Sequence, residues 1–484
     1  MITQYLIAFI CYFSILLAIG ILSHRKQVSN AEFIVGNRSL NFWLTALSAH
    51  ASDMSAWIFM GLPMAIYLNG LFGSWIAIGL IVGMFANWQF VSIKLRTDTE
   101  KYNAFTLSSF FENRFRDTSG ILRVLTAVIL IFFLTHYLSA ALMAMGLLLE
   151  SVFGIDYYYG LAFSLGVVVI YTFGGGFITI AWTDLFQAIF LLLVIITVPV
   201  VAFFSMEDGW AAIRNLDAGN VGYLSFLGNV SETSFLTALF LAASWGLGYY
   251  GQPHIITKFM GIKNINDLKK SKYVGMSWQV MALAASITVG IVGAAFFDYG
   301  LDNPELVFIE LVKILFHPLV AGFILCGILA ANLSTMDSQL LVGASAFSED
   351  LYKKLVRPNA SPLELVRTSR FGVVLIACVA LLIAFMKNDT ILDSVLYAWA
   401  GLGSSFGPLV LMSLYYKNTN KFGAISGIFV GGSLAVGWHI INPYLFDFTI
   451  PTMVAAFSMS LLSIYVVSKL TSFKSVKSID DIID

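Results

Sequence analysis

The sequence predicts an all-α polytopic membrane protein, and three observations lead there. The 484 residues are 58% hydrophobic and only 11% charged, with a mean hydropathy of +0.84, a balance that soluble globular chains do not have. The apolar residues gather in stretches of about 20, the length that crosses a hydrocarbon core roughly 30 Å thick. The basic residues fall between these stretches in an order that sorts them by side. The net charge of −1 says nothing about nucleic acid, but no basic run long enough to bind one is present, and no nucleic-acid partner is expected. Cys11, Cys326 and Cys378 all lie in apolar stretches, where cysteine behaves as a small buried hydrophobe, so neither a disulfide nor a zinc framework is expected.

In chain order, Ile2 to Leu22 is the first span. It lacks a basic run before it and a small-residue cleavage site after it, which reads as a retained helix and not as a signal peptide. The further spans are expected at 40–70, 73–95, 120–150, 158–178, 184–205, 234–256, 274–298, 317–343, 368–387, 394–416, 421–442 and 450–469, giving thirteen. An odd number places the termini on opposite sides. With the N-terminus outside, the inner loops collect 24 of the 27 basic residues, in groups at Arg25–Arg38, Lys94–Arg123, Lys258–Lys272, Lys353–Arg370, Lys417–Lys421 and Lys469–Lys477. Only Arg214, Lys313 and Lys387 fall outside, so the positive-inside rule predicts N-out and C-in.

Three carboxylates, Asp53, Asp184 and Asp337, lie within or at the edge of apolar stretches. An acid at that depth is costly and by default faces a cavity in which it acts. Asp53 sits in Ser48-Ala49-His50-Ala51-Ser52-Asp53-Met54-Ser55-Ala56-Trp57, a run of small and hydroxylated residues that invites the second span to unwind. Asp184 follows Trp182 and Thr183 at the start of its stretch, where it serves either as an N-terminal cap or as an ion ligand. Asp337 suits a structural partner role near the inner end of its helix.

A second break is expected in the seventh span at Trp245-Gly246-Leu247-Gly248-Tyr249-Tyr250-Gly251-Gln252-Pro253-His254. Its glycines weaken helix, and Pro253 lacks a donor and disfavours the α conformation at Gln252. Five spans separate the two breaks, so spans two to six and seven to eleven form two inverted units, 40–205 and 234–416. Paired interrupted helices in corresponding positions mark the binding site of a secondary transporter. Segment 1–39 then holds the first helix and an inner loop, 206–233 an outer loop, 417–470 two extra helices and 471–484 a cytoplasmic tail. The ninth span adds adjacent hydroxyls at Ser334 and Thr335. Paired hydroxyls usually bond back to the preceding turn, but with the free carbonyls of an unwound 51–54 they form an all-oxygen set of the kind a hard cation prefers. No His/Asp/Glu grouping has metal-ligand spacing, and an enzyme is not expected.

These residues resemble the sodium:solute symporters. Gly174-Gly175-Gly176-Phe177 followed by Ala181-Trp182-Thr183-Asp184-Leu185-Phe186-Gln187 is similar to the family signature, and the likeness runs from Gly36-Asn37-Arg38-Ser39-Leu40 to about residue 470. The stretches around Asp53, Trp245–His254 and Tyr397-Ala398-Trp399-Ala400-Gly401 are similar to the proline branch. The resemblance implies a LeuT-type fold with five-plus-five inverted repeats, located in the bacterial inner (plasma) membrane. It implies uptake of L-proline driven by Na+, with no other cofactor, no nucleic acid and no obligatory protein partner; another small carboxylate such as pantothenate, or a different amino acid, is the alternative solute. It places sodium on the carbonyls of Ala51, Met54 and Ala331 and the hydroxyls of Ser334 and Thr335, with Asp53 and Asp184 in ion coupling. It places the substrate near Ser55, Tyr137, Trp245, Tyr249 and Pro253, and a gate at Arg38. The sequence departs from the branch at His50, where glycine is expected, at His136 and at Asp337; the two histidines bear on the shape and pH response of the pocket. A zwitterionic imino acid suits such a site: a half-helix N-terminus for its carboxylate, unwound carbonyls near Gly248 for its ammonium, and aromatic walls for its ring. If the helix is regular, Trp245 and Tyr249 share one face and sandwich that ring.

Overall fold

The computed structural model describes residues 2–23, 30–174, 176–229, 234–298, 300–386, 390–446 and 448–480. Arg25, Lys26 and Lys387 of the charge pattern and Gly175 of the signature lie outside the described residues. All secondary structure among the described residues is helical apart from one parallel bridge between Leu40 and Ile262.

Helix α1 spans Ile2–Ser23. The second expected span is two short helices, α2 (Phe42–Ala51) and α3 (Gly61–Asn69), and the third is α4 (Trp75–Ala86), prolonged by a π-helical turn and a further helix to Lys101. There follow α5 (Ile121–Phe153), α6 (Tyr157–Gly174) and α7 (Phe177–Ser205). The seventh span is again divided, into α8 (Phe235–Gly246) and α9 (Pro253–Met260). The remainder are α10 (Leu268–Phe297), α11 (Pro318–Ser345), α12 (Pro362–Ala384), α13 (Ile391–Tyr415), α14 (Lys421–Leu445) and α15 (Thr452–Asp480). Ten helices among the described residues are long and apolar enough to cross a membrane. The expected spans at 40–70 and 234–256 are interrupted, and that at 158–178 gives the shorter α6.

Both interruptions have local causes. The Asn41 side chain caps α2 by accepting from the Leu44 N–H at 2.9 Å. At the other end of α2 the Asp53 and Met54 N–H groups both fall on the His50 carbonyl, at 3.3 and 3.2 Å, and the helix stops. Ser55 is extended, with φ −74° and ψ −168°. Asn332 of α11 then takes over, accepting from the Ala56 N–H at 2.9 Å and donating to the Ala141 carbonyl of α5 at 3.1 Å. Backbone groups freed at this depth must find such partners, because lipid offers none. In the seventh span, α8 tightens to a 3-10 turn over Leu247–Gly251, Gln252 is extended, and Pro253 starts α9 at the position where its missing N–H costs nothing.

The two broken spans lie at the centre, walled by α5, α10, α11 and α13; α1 packs on α7 and α11, while α14 and α15 pair on the outside of α13. Between α4 and α8 the backbones touch. A Cβ at Gly79 would stand 2.0 Å from the Ala242 carbonyl oxygen, and one at Gly83 2.2 Å from that of Gly246. Only glycine permits this approach.

Three boundaries correct the sequence expectation. Helix α7 begins at Phe177 and not near 182–184, because Gly176 supplies the extended residue that starts it. Asp184 is therefore two turns inside the helix and caps nothing. Lys258, counted with an inner loop, is the sixth residue of α9 and only 1% exposed. Helix α11 runs on through a π-helical turn to Val356, which buries a further acid, Asp350, against Arg123 at 2.7 Å.

Candidate functional site

The interruption in α2/α3 brings carbonyl oxygens to the hydroxyls of α11. Ser334 Oγ donates to the Ala51 carbonyl at 2.9 Å and lies 3.0 Å from the Ala331 carbonyl, while Thr335 Oγ1 is 3.4 Å from the first and 3.1 Å from the second. All four residues are buried, and Met54 is buried in the break between them and Ser55. With a cation present, the hydroxyls need only turn their protons aside to offer an oxygen-only shell, the preference of a hard ion.

Next to this cluster, Tyr249 donates from its hydroxyl to Asp53 Oδ2 at 2.5 Å. Asp53 Oδ1 has no hydrogen-bond partner among the described residues. Gln279 of α10 donates from Nε2 to the Tyr249 oxygen at 2.9 Å, and Asn87, at the π-helical turn after α4, donates to the Tyr249 carbonyl at 3.1 Å. The Tyr137 hydroxyl is 3.4 Å from the Asp53 carbonyl and adjoins Ser55 and Trp57. On this side His254 stands edge-on to Tyr137 at 5.8 Å, next to Pro253 at the start of α9.

The aromatic wall departs from the regular-helix expectation. In the 3-10 turn Tyr249 swings away from Trp245, and Trp399 of α13 stands between them, 6.2 Å from Trp245 and perpendicular to Tyr249 at 5.0 Å. The Trp399 indole N–H donates to the Trp245 carbonyl at 2.9 Å, and Trp57 tilts against Trp245 at 5.7 Å. Gly248 makes room for this ring, since a Cβ there would be 1.9 Å from Trp399 Nε1. Behind the wall, a cavity of about 970 Å³ reaches from Ser244 and Ala400 to the bundle end where α13 and α15 begin.

At the opposite end, Arg38 and Leu40 clasp neighbouring segments together. Arg38 donates to the Thr99 and Ala104 carbonyls at 3.0 and 3.1 Å and to the Met260 carbonyl at 3.4 Å. Burial, with Arg96 close by, lowers its pKa to about 10, so it is a cation at neutral pH. Leu40 exchanges backbone hydrogen bonds with Gly261 and Lys263 at 3.0 and 2.9 Å. Deeper in, Asp184 Oδ2 accepts from Lys258 Nζ at 3.1 Å and from Ser48 Oγ at 2.5 Å, tying α7 to α9 and α2. The two departing histidines stay clear of the central cluster: His50 accepts from the Trp88 indole at 3.1 Å and packs on Gly275, and His136 is bonded to the Phe132 carbonyl of its own helix at 2.9 Å.

Residues 33–431 match the model of the sodium:solute symporter family. This chain belongs to the sodium:solute symporter family. The symporter is 42% identical over 467 residues to the high-affinity proline transporter PutP of Bacillus subtilis, with 95% of this chain and 97% of that protein aligned. It is 40% identical to the osmoregulated proline transporter OpuE of the same organism, over 95% and 93% of the two chains, and 40% identical to the sodium/proline symporter of Staphylococcus aureus, over 95% and 91%. Its fold matches that of a Na+-coupled sialic acid symporter in a substrate-bound outward-open state, with a TM-score of 0.80 at 17% identity over 96% of this chain and 98% of that one. It also matches Mhp1, a nucleobase-cation-symport-1 family transporter, with a TM-score of 0.57 at 16% identity over 92% and 96% of the two chains. The architecture is the LeuT-type fold. The symporter is thus a transporter and not an enzyme, a multi-pass protein of the cell membrane, with Na+ as its coupling ion.

Of the residues singled out from the sequence, Ala51, Ala331, Ser334 and Thr335 converge directly. Asp53, Ser55, Tyr137 and Tyr249 gather beside them. Trp245 joins through Trp57 and Trp399. Asp184 stands apart from the central cluster with Lys258 and Ser48, and Arg38 lies at the clasped end. Sequence reasoning missed Gln279, Asn332, Lys258 and the central place of Trp399; Asn332, two residues before Ser334, and Trp399 lay in stretches that carried a signal.

Proposed function

We propose that the chain imports L-proline with Na+ by alternating access, N-out and C-in. On this reading the two interrupted spans and α6 complete a set of thirteen crossings, with repeats at 40–205 and 234–416. Sodium is held by the carbonyls of Ala51, Met54 and Ala331 and the hydroxyls of Ser334 and Thr335, and Asp53 lends its charge to ion coupling. The observation that carries the reading is the meeting of the Ala51 carbonyl with Ser334 and Thr335 right beside the Tyr249–Asp53 pair. Ion and solute then share the same unwound turn, so the occupancy of one is felt by the other.

Proline fits the neighbouring chemistry and is the solute named for the relatives above. Ser55, Tyr137 and Pro253 frame the polar end of the pocket, and Trp245 and Tyr249, joined by Trp399, give it aromatic walls. The cavity behind Trp245 and Trp399 is the outer approach, and Arg38 with the Leu40 pairing is the closed inner gate. Asp184 lies on the ion's way inward. Sodium is the sole cofactor and no protein partner is required.

The energetics suffice. One cation crossing about 100 mV releases roughly 2.3 kcal/mol, and a tenfold sodium gradient adds about 1.4 kcal/mol. Together, about 3.7 kcal/mol sustains several-hundredfold accumulation of a neutral solute. The test is uptake of labelled L-proline into proteoliposomes, with and without an inward sodium gradient, in competition with unlabelled amino acids and pantothenate. Uptake that needs sodium and yields best to unlabelled proline is expected. Stronger inhibition by any other solute would reassign the substrate.

A further inference from the structure

We propose that Gln279 is a positioning residue for ion coupling, acting through Tyr249 on Asp53. This rests on the reading that Asp53 serves the sodium ion. A tyrosine hydroxyl has one proton and can both donate and accept. Gln279 Nε2 donates to the Tyr249 oxygen at 2.9 Å, so the tyrosine's proton is turned toward Asp53 Oδ2, 2.5 Å away. Asn87 fixes the same residue from its backbone end, donating to the Tyr249 carbonyl at 3.1 Å. All four residues are fully buried.

The consequence concerns the carboxylate's two oxygens. With Oδ2 engaged by Tyr249, Oδ1 is the one left to answer a cation, and it has no partner among the described residues. Without the Gln279 donor, the tyrosine hydroxyl can rotate and Asp53 loses its orientation. Gln279 lies on α10, whereas Asp53 and Tyr249 lie at the breaks of the second and seventh spans. The amide therefore ties a continuous helix to both interrupted ones, and makes the Asp53 geometry depend on where α10 stands.

The experiment is a sodium titration of labelled proline uptake by the full chain in proteoliposomes, normalised to folded protein. Gln279→Leu is expected to raise the sodium concentration for half-maximal uptake about five- to tenfold, the worth of one hydrogen bond in a charged network. Gln279→Glu keeps the shape but accepts the tyrosine proton in competition with Asp53, and is expected to raise it at least as far; it carries the test if the leucine variant fails to fold. In a Tyr249→Phe background, Gln279→Leu should add less than about twofold, because the relay is already cut. Unchanged sodium dependence in either foldable Gln279 variant, or fold-changes that multiply in the double variant, would overturn the proposal. Asp53→Asn run in parallel separates the two levels: unaltered sodium dependence there refutes the ion assignment itself, whereas its loss beside a normal Gln279→Leu refutes only the relay.

Discussion

Replacing Lys258 by Met should destabilise the protein more than any single change at the central cluster, and the structure gives the scale. Lys258 Nζ lies 3.1 Å from Asp184 Oδ2, with the two side chains 1% and 0% exposed. The methionine keeps the apolar stem of the lysine, so the loss is electrostatic. What it leaves is a buried carboxylate whose one remaining hydrogen-bond partner among the described residues is Ser48, at 2.5 Å. Breaking such a pair from one side costs about 3–5 kcal/mol, whereas removing both charges together is often close to neutral. Lys258→Met with Asp184→Asn should therefore recover at least about 2 kcal/mol over the sum of the single changes. The assay is a denaturant titration of the purified protein in detergent, followed by circular dichroism, for the parent, both single variants and the double. A cost below about 1 kcal/mol for Lys258→Met, or strict additivity, would refute the argument by showing that water reaches the pair. Transport measured on the same four proteins adds a further reading, since a double variant that is stable yet inactive assigns the charges to the transport cycle.

Three further outcomes are expected. Replacing Ser334 and Thr335 together by Ala should weaken sodium activation of uptake by tenfold or more per folded molecule, on the scale of about 1.4 kcal/mol per decade; normal sodium titration with lower yield would make them packing residues. Trp245→Ala should raise the proline concentration for half-maximal uptake at saturating sodium by roughly tenfold to a hundredfold, for the loss of about 1–3 kcal/mol of aromatic contact, while Trp210→Ala, at a residue 65% exposed, leaves it unchanged; equal effects would move the pocket elsewhere. A single cysteine at Asn215 should react with an impermeant thiol reagent from outside and one at Asn264 should not, and the reverse pattern would invert the proposed orientation.

The parts of the site that could be read from the sequence were those written in local composition. The break at Ser52–Ser55 announced itself by small residues around an acid in an apolar stretch, and that at Leu247–Gln252 by glycines before a proline. Ser334 and Thr335 were legible as adjacent hydroxyls following the long apolar first half of their helix. Partners drawn from distant segments were not. Gln279 is one amide in a long helix, and nothing near it in sequence points to Tyr249. Lys258 lay just past the point where hydropathy falls, so it was grouped with loop residues; only tertiary structure reveals that Asp184 draws it inward. Trp399 was obscured by its company, because in a chain with 41 Phe and 20 Tyr an aromatic residue alone carries little information. The assumed regular turn between Trp245 and Tyr249 failed for the reason that made the break legible, since glycines at 246, 248 and 251 let the chain tighten.

The bare contact between α4 and α8 has a mechanical meaning. With a Cβ at Gly79 or Gly83 confined to within 2.2 Å of carbonyl oxygens across the seam, there is no layer of side chains to shear, and the two helices have no slip plane. Any movement of α8 relative to α4 has to open that seam. Ser244, in the wall of the cavity that Ala400 and Trp438 also line, is held to α4 by it, and the part of the seventh span outside regular α-helix is Leu247–Gln252. A bulkier residue at Gly83 would wedge the seam apart, and is expected to misalign Tyr249 from a distance and lower uptake without touching either ligand.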